Sequence, residues 1–228
     1  MANRPIFIAT DTFPFYKQKS IEFRYYSGFA ISQKQKSIIS LHEAYKEQYC
    51  DSNILEISTK STDELGVKLS AFNLSATIND SSYKLECIFQ GSKVFEHGGP
   101  YTEIYTMEPW EAKKYGKLKS SGNILEFNLF GTKFRREPKD FFYNWIYINA
   151  LYTHKEYLNV LNEYEAFTDI EFNPKKSINC QARSVAIAVG LNKAGMLDEC
   201  VSDQEKFLNI IYNTNKDVKY EQLTFFKQ

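Results

Sequence analysis

Leu85-Glu86-Cys87-Ile88-Phe89-Gln90-Gly91-Ser92-Lys93 is the stretch on which the fold turns. Leu85, Ile88, Phe89 and Phe95 recur at helical intervals, so the spacing predicts a buried helix over residues 85–95, stopped by Gly98-Gly99-Pro100. On such a helix Glu86, Gln90 and Lys93 stand at i, i+4 and i+7, which puts a carboxylate, an amide and an ammonium on one stripe. A solvated polar stripe has the same spacing. The apolar neighbours argue for burial instead. Gly91 inside a helix costs about 1 kcal/mol relative to alanine, a cost that makes sense where another group approaches the backbone closely.

Outward from that stretch, helical spacing dominates the C-terminal side. Glu108-Pro109-Trp110 opens a short helix with proline at a tolerated first-turn position. Pro138 leads into a helix through Phe142, Trp145, Ile148 and Leu151, and Tyr157, Leu158 and Leu161 mark a shorter one. Residues 179–193 are apolar and rich in small side chains, a buried helix stopped at Gly195, and 205–212 form a last amphipathic helix. Residues 124–130 alternate as a strand. On the N-terminal side, residues 6–9, 21–25 and 54–57 read as strands, 38–49 as a short helix, 58–66 as a polar turn and 69–78 as extended chain, with a turn signal at 79–82. The expectation is an α+β fold with a mainly helical core and short N-terminal strands. Residues 1–53 are a strand and helix extension of a main domain over 54–228, the two forming one compact unit.

Composition limits the functions available. The chain has 228 residues with 28 basic and 28 acidic groups, so its formal charge is zero. A strongly basic coat for nucleic acid is excluded, and contact with DNA or RNA has to come from a local patch. Eighteen Phe and 16 Tyr against 2 Trp supply core volume and stacking faces for a base. No secretory signal and no run long enough to span a membrane is seen. Cys50, Cys87, Cys180 and Cys200 are far apart without a CxxC pair, which fits reduced thiols in a cytoplasmic protein. His42, His97 and His154 stand at no ligand spacing, so no metal is expected. Ser58-Thr59-Lys60-Ser61 is polar but forms no phosphate-binding loop, and no dinucleotide fingerprint, nucleophile elbow or His-Glu-x-x-His occurs.

A second segment stands out. Residues 166–183 pack Asp169, Glu171, Lys175, Lys176, Arg183 and three side-chain amides into eighteen positions, with Pro174 breaking any helix. Ser177 and Asn179 then open a helix whose free amides suit a phosphate. An ordinary charged surface loop has the same composition.

Taken together, these segments resemble the NADAR family, which includes the YbiA-like proteins. The matching stretches are Leu69-Ser70-Ala71-Phe72-Asn73-Leu74, the turn at 79–82, Glu86 through Gln90 to Lys93, Trp145 with Ala150-Leu151, Leu158 and Leu161, Ile170-Glu171, and residues 179–183. Ala71 stands where that family has Asn, Cys87 where it has His, and Pro174-Lys175-Lys176 replaces its acidic and Trp-Gly residues. Residues 1–5, 32–37 and 167–184 make the whole chain resemble the NADAR branch associated with DarT-type DNA ADP-ribosyltransferase toxins. The resemblance implies an N-glycosidase that removes ADP-ribose from guanine bases in DNA, with ADP-ribose as product and no cofactor, acting as antitoxin to a DarT-type toxin. Glycosidase action on ribosylated small metabolites, or a module that binds ADP-ribose or the toxin without chemistry, remain the alternatives.

Breaking an N-glycosidic bond builds positive charge on the anomeric carbon, which a carboxylate stabilises while an acid protonates the departing base. Glu86 is the candidate for the first role. Asp169 and Glu171 are candidates for the second acid or for ribose hydroxyls. Lys93 would keep Glu86 ionised or act as a Schiff-base nucleophile. Lys60, Ser70 and Gln90 are candidate substrate contacts. Lys175, Lys176, Arg183 and Asn179 suit the diphosphate, and Phe72, Tyr83 or Trp145 would stack on adenine.

Overall fold

A computed structural model of the chain describes residues 1–50 and 52–213. It opens with a hairpin in which β1 (Ala2–Ala9) pairs with β2 (Tyr16–Phe23) along its whole length, Ala2 opposite Phe23 and Ala9 opposite Tyr16. Helix α1 (Ile31–Lys46) lays Ile38, Leu41 and Tyr45 onto Ile6, Ile21 and Phe23 of that hairpin. After β3 (Ile54–Glu56) and α2 (Glu64–Lys68) comes a second hairpin, β4 (Ser75–Ile78) and β5 (Ser81–Lys84). Its turn residues, Asn79 and Asp80, take φ of 49° and 61°, a region these short polar side chains tolerate. Helix α3 (Leu85–Gly91) follows, then β6 (Lys93–Phe95), a 3₁₀ turn (Thr102–Thr106), α4 (Pro109–Ala112), α5 (Lys117–Ser120), and the hairpin of β7 (Ile124–Leu129) and β8 (Thr132–Arg135). The rest is α6 (Phe141–Thr153), α7 (Lys155–Leu161), β9 (Ala166–Thr168), α8 (Gln181–Lys193), α9 (Leu197–Cys200) and α10 (Gln204–Tyr212).

The fold is α+β, but the expected mainly helical core is incorrect. Among the described residues nine strands form three sheets, ordered β2-β1-β9-β3, β4-β5 and β6-β7-β8. The three-residue β9 runs between β1, to which it is antiparallel, and β3, to which it is parallel, and Ala166, Phe167 and Thr168 are all buried. A strand this short, covered on both faces, has no alternation to read. The N-terminal hairpin is thereby joined through β9 to the rest of the chain.

The helix expected over residues 85–95 ends at Gly91. The ring of Tyr105 lies where a Gly91 side chain would be, 2.6 Å from an added Cβ, and the Gly91 carbonyl accepts from the Tyr101 N–H at 2.8 Å. The Asn128 N–H donates to the Ser92 carbonyl at 2.7 Å. These contacts draw the chain out of the helix and pair Lys93 with Phe127 in β6–β7. Residues 69–74, expected as extended chain, are a turn in which the Ser70 carbonyl accepts from the N–H groups of Asn73 and Leu74.

Helices α6 and α8 form the middle of the largest core cluster. Ala182, Ala186, Ala188 and Gly190 keep α8 slim, and at Gly190 the carbonyls of Phe15 and Thr10 approach so closely that a Cβ would meet them at 2.2 and 2.5 Å. The aromatic content serves this core: Phe127 stacks on Phe142 at 4.4 Å, and Phe134 meets Phe142 at 5.0 Å.

Candidate active site

A cavity of about 420 Å³ opens where four segments converge: the loop after β3, the turn after α2, the face of α3, and the chain between β9 and α8. That volume lies within the range of small-molecule sites. Polar groups from all four segments reach it, including Lys60, Ser70, Glu86, Gln90, Asp169, Glu171, Ser177 and Asn179. Phe72, Phe89, Tyr143 and Phe172 supply aromatic walls.

The turn after α2 is fixed from three sides. Tyr147 Oη donates to the Leu69 carbonyl, the Ala71 N–H donates to Gln181 Oε1 at 2.9 Å, and the Ala71 carbonyl accepts from the Glu86 N–H at 2.9 Å. The last bond seats the first turn of α3 directly on the cavity wall. Glu86 and Gln90, each less than a tenth exposed, are neighbours one turn apart on α3, and Gln90 Nε2 donates to Glu86 Oε1 at 2.9 Å. Lys93 Nζ donates to Gln90 Oε1 at 2.6 Å and lies 4.4 Å from the Phe89 ring centroid. An ammonium has no acceptor, so it holds the amide oxygen and turns the amide N–H groups toward the carboxylate. Burial pushes the Lys93 ammonium down to about 8, with Lys113 adding to the shift and Glu86 opposing it.

Asp169 lines the same cavity in a different setting. Its Oδ1 accepts from the N–H groups of Glu171 and Phe172 at 3.1 and 3.2 Å. Burial, and then the carboxylate of Glu56 behind it, raises the Asp169 carboxyl well above the usual range. Glu56 is 2% exposed and accepts three hydrogen bonds, from Ser58 Oγ at 2.7 Å, the Ile170 N–H at 2.8 Å and Thr168 Oγ1 at 2.6 Å. Burial raises the Glu56 carboxyl too, with those three donors opposing the shift, whereas Asp169 is raised well above its ordinary value, so Asp169 is the member of the pair that holds a proton more tightly. The Tyr143 hydroxyl is held protonated mainly by its burial, with Tyr147, Glu86 and Asp169 adding to the effect.

Of the residues read from the sequence, Glu86, Asp169, Glu171, Lys60, Ser70, Phe72, Gln90 and Asn179 line the cavity. Lys93 stands behind Gln90, to which it donates, and does not line the cavity. Trp145 is away from the cavity, its ring against Phe134 at 5.9 Å and Phe207 at 5.2 Å, and it is a core residue. Lys175 and Lys176 are exposed and outside the lining set. Arg183 turns away: its Nη2 pairs with Asp140 Oδ2 at 2.7 Å and donates to the Ile178 carbonyl at 2.7 Å. Glu171 pairs with Lys34 of α1 at 3.1 Å.

Sequence reading missed Lys113, Tyr143, Phe172 and Gln181 of the lining and Glu56 behind it. Lys113 Nζ lies 5.5 Å from the Phe72 ring centroid and brings a cation to the cavity wall. Nothing in the sequence separates it from Lys114. Glu56 had a signal, a lone carboxylate inside Ile54-Leu55-Glu56-Ile57. Among the described residues no group of three His, Cys, Asp or Glu could hold a metal ion, and no helix is long and apolar enough to cross a membrane. A family model described as DarT1-associated NADAR antitoxin matches residues 2–221, nearly the whole chain. No curated protein matches it.

Proposed function

The chain belongs to the DarT1-associated NADAR antitoxins, and from that premise we propose that it is an N-glycosidase releasing ADP-ribose from ADP-ribosylated guanine in DNA. The observation that carries this reading is the pair of unlike carboxyl groups in one cavity: Glu86, hydrogen-bonded to an oriented amide, and Asp169, kept protonated by burial and Glu56. Glycosidic hydrolysis uses such a pair, one group to meet developing positive charge and one to supply a proton.

In this mechanism the bond between the anomeric carbon and the guanine nitrogen breaks, and its electron pair leaves with the base. Asp169 gives its proton to that nitrogen. Glu86 faces the oxocarbenium-like carbon and accepts the proton of the attacking water, whose oxygen completes free ADP-ribose. Proton exchange with solvent resets both carboxyls. Gln90 and Lys93 hold Glu86 in position. Phe72 and Phe172 offer faces for a base, while Lys60, Lys113 and the amides near Ser177 and Asn179 suit the diphosphate. DNA carrying the modified base would present it as a single extruded nucleotide, because a cavity of about 420 Å³ holds one nucleotide and no duplex.

The test is multiple turnover on an oligonucleotide carrying ADP-ribosylated guanine. The expected result is many equivalents of free ADP-ribose per protein and an intact guanine strand. Tight binding without release would leave a binding module. Equal turnover of small ribosylated nucleotides, with no preference for DNA, would transfer the activity to metabolites.

A further inference from the structure

We infer that Glu56 is a positioning residue for this site, clamping together the loops that carry Ser58 and Asp169 and setting a buried carboxyl group beside Asp169. The inference rests on the proposed role of Asp169 as proton donor. Its basis is the hydrogen-bond pattern. The residues on either side of Asp169 both donate to the same buried carboxylate, Thr168 Oγ1 to Oε2 at 2.6 Å and the Ile170 N–H to Oε1 at 2.8 Å. Ser58 Oγ donates to Oε1 at 2.7 Å and itself accepts from the Lys60 N–H at 3.2 Å, so the clamp extends to the wall bearing Lys60. Glu56 and Thr168 are paired residues on the parallel strands β3 and β9. A carboxylate in a buried strand end is expensive, and here every bond it makes organises the cavity wall.

The clamp reaches further back. Thr168 spends its hydroxyl proton on Glu56, so its oxygen accepts from His42 Nε2 of α1 at 2.8 Å. His42 is neutral, pushed down to about 4 by burial with Lys46 adding to it, so no positive charge arises there at neutral pH to cancel Glu56. The other groups facing the pair are Glu171, itself paired with Lys34, Tyr143 and Tyr147 of α6, and Cys180 at the head of α8. Burial keeps both tyrosines and Cys180 neutral. Glu56 is therefore the charge that acts on Asp169 from the protein side, and Glu171 lies toward the solvent.

The experiment titrates the Asp169 carboxyl by ¹³C NMR in the full chain, alongside turnover of the modified oligonucleotide. Glu56→Gln keeps the shape and removes the charge. The Asp169 midpoint is expected to fall by about one pH unit or more, and kcat by about tenfold with KM nearly unchanged. Thr168→Val strips one donor from Glu56 and is expected to move the midpoint in the same direction by less, which keeps the inference open to test if Glu56→Gln does not fold. An unchanged Asp169 midpoint in the folded variant overturns the inference, even if activity drops. Asp169→Asn separates the two levels. Normal turnover by that variant removes Asp169 from the proposed chemistry. An inactive Asp169→Asn beside an unshifted Glu56→Gln removes only the role of Glu56.

Discussion

Glu86, Gln90 and Lys93 form a chain of three side chains in which each orients the next. Replacing Lys93 by Met leaves Gln90 Oε1 without its donor and frees the amide to flip, presenting its oxygen to the Glu86 carboxylate. Turnover is expected to fall by about tenfold or more, with partial recovery in Lys93→Arg, whose guanidinium still donates; steady-state kinetics of the two variants checks this. Asp169 gives a stability test. Its folded carboxyl titrates above its unfolded value of about 3.9. The folded state therefore binds more protons in the window between the two values, and stability falls as pH rises through it. Asp169→Asn removes that slope. Urea unfolding at pH 8 is expected to show the variant gaining on the wild type relative to pH 4; a constant difference would count against a raised Asp169. At this scale the cavity positions of Glu86 and Gln90 were legible from helical spacing among apolar neighbours, and that of Asp169 from a segment dense in charge. Lys93 joins the same group through Gln90, one layer behind the cavity wall. Arg183 and Trp145 stand outside the cavity lining, since sequence shows residue type and not direction: one is turned to Asp140, the other to Phe207.

The elements were legible in proportion to their length. The regions of α6, α8 and α10 carry their own periodicity, and each was read close to its observed span, whereas α1 was read only from residue 38 because its first turns, Ser32 to Lys36, are polar. The three-residue strands β3, β6 and β9 take their conformation from long-range pairing, which no local pattern encodes, and two of the three went unread. Gly91 marks the place where that tertiary pull defeats helix propensity. Alanine there gains about 1 kcal/mol of propensity and drives a methyl group into the Tyr105 ring, a backbone-anchored neighbour 2.6 Å away. Overpacking of this kind costs about 1–3 kcal/mol, so Gly91→Ala is expected to be destabilising in chemical denaturation and to lower turnover through α3. Unchanged stability would mean that Tyr105 moves aside freely.

Taken whole, the molecule carries no net charge, and among the described residues its cavity takes cations from two positions, Lys60 and Lys113. Few phosphates are neutralised on binding, so affinity for modified DNA should depend weakly on salt. Raising salt from 50 to 200 mM is expected to weaken binding by less than about tenfold; a loss of about a thousandfold would reveal a DNA footprint far wider than the cavity. Everything proposed for the site depends on Glu86 as the group that meets charge on the ribose. The most direct measurement is release of ADP-ribose from modified guanine by Glu86→Gln, an uncharged residue of nearly the same shape, with circular dichroism as the folding control. The expected result is a native spectrum with turnover reduced by at least about a thousandfold. A native spectrum with near-normal turnover would contradict it.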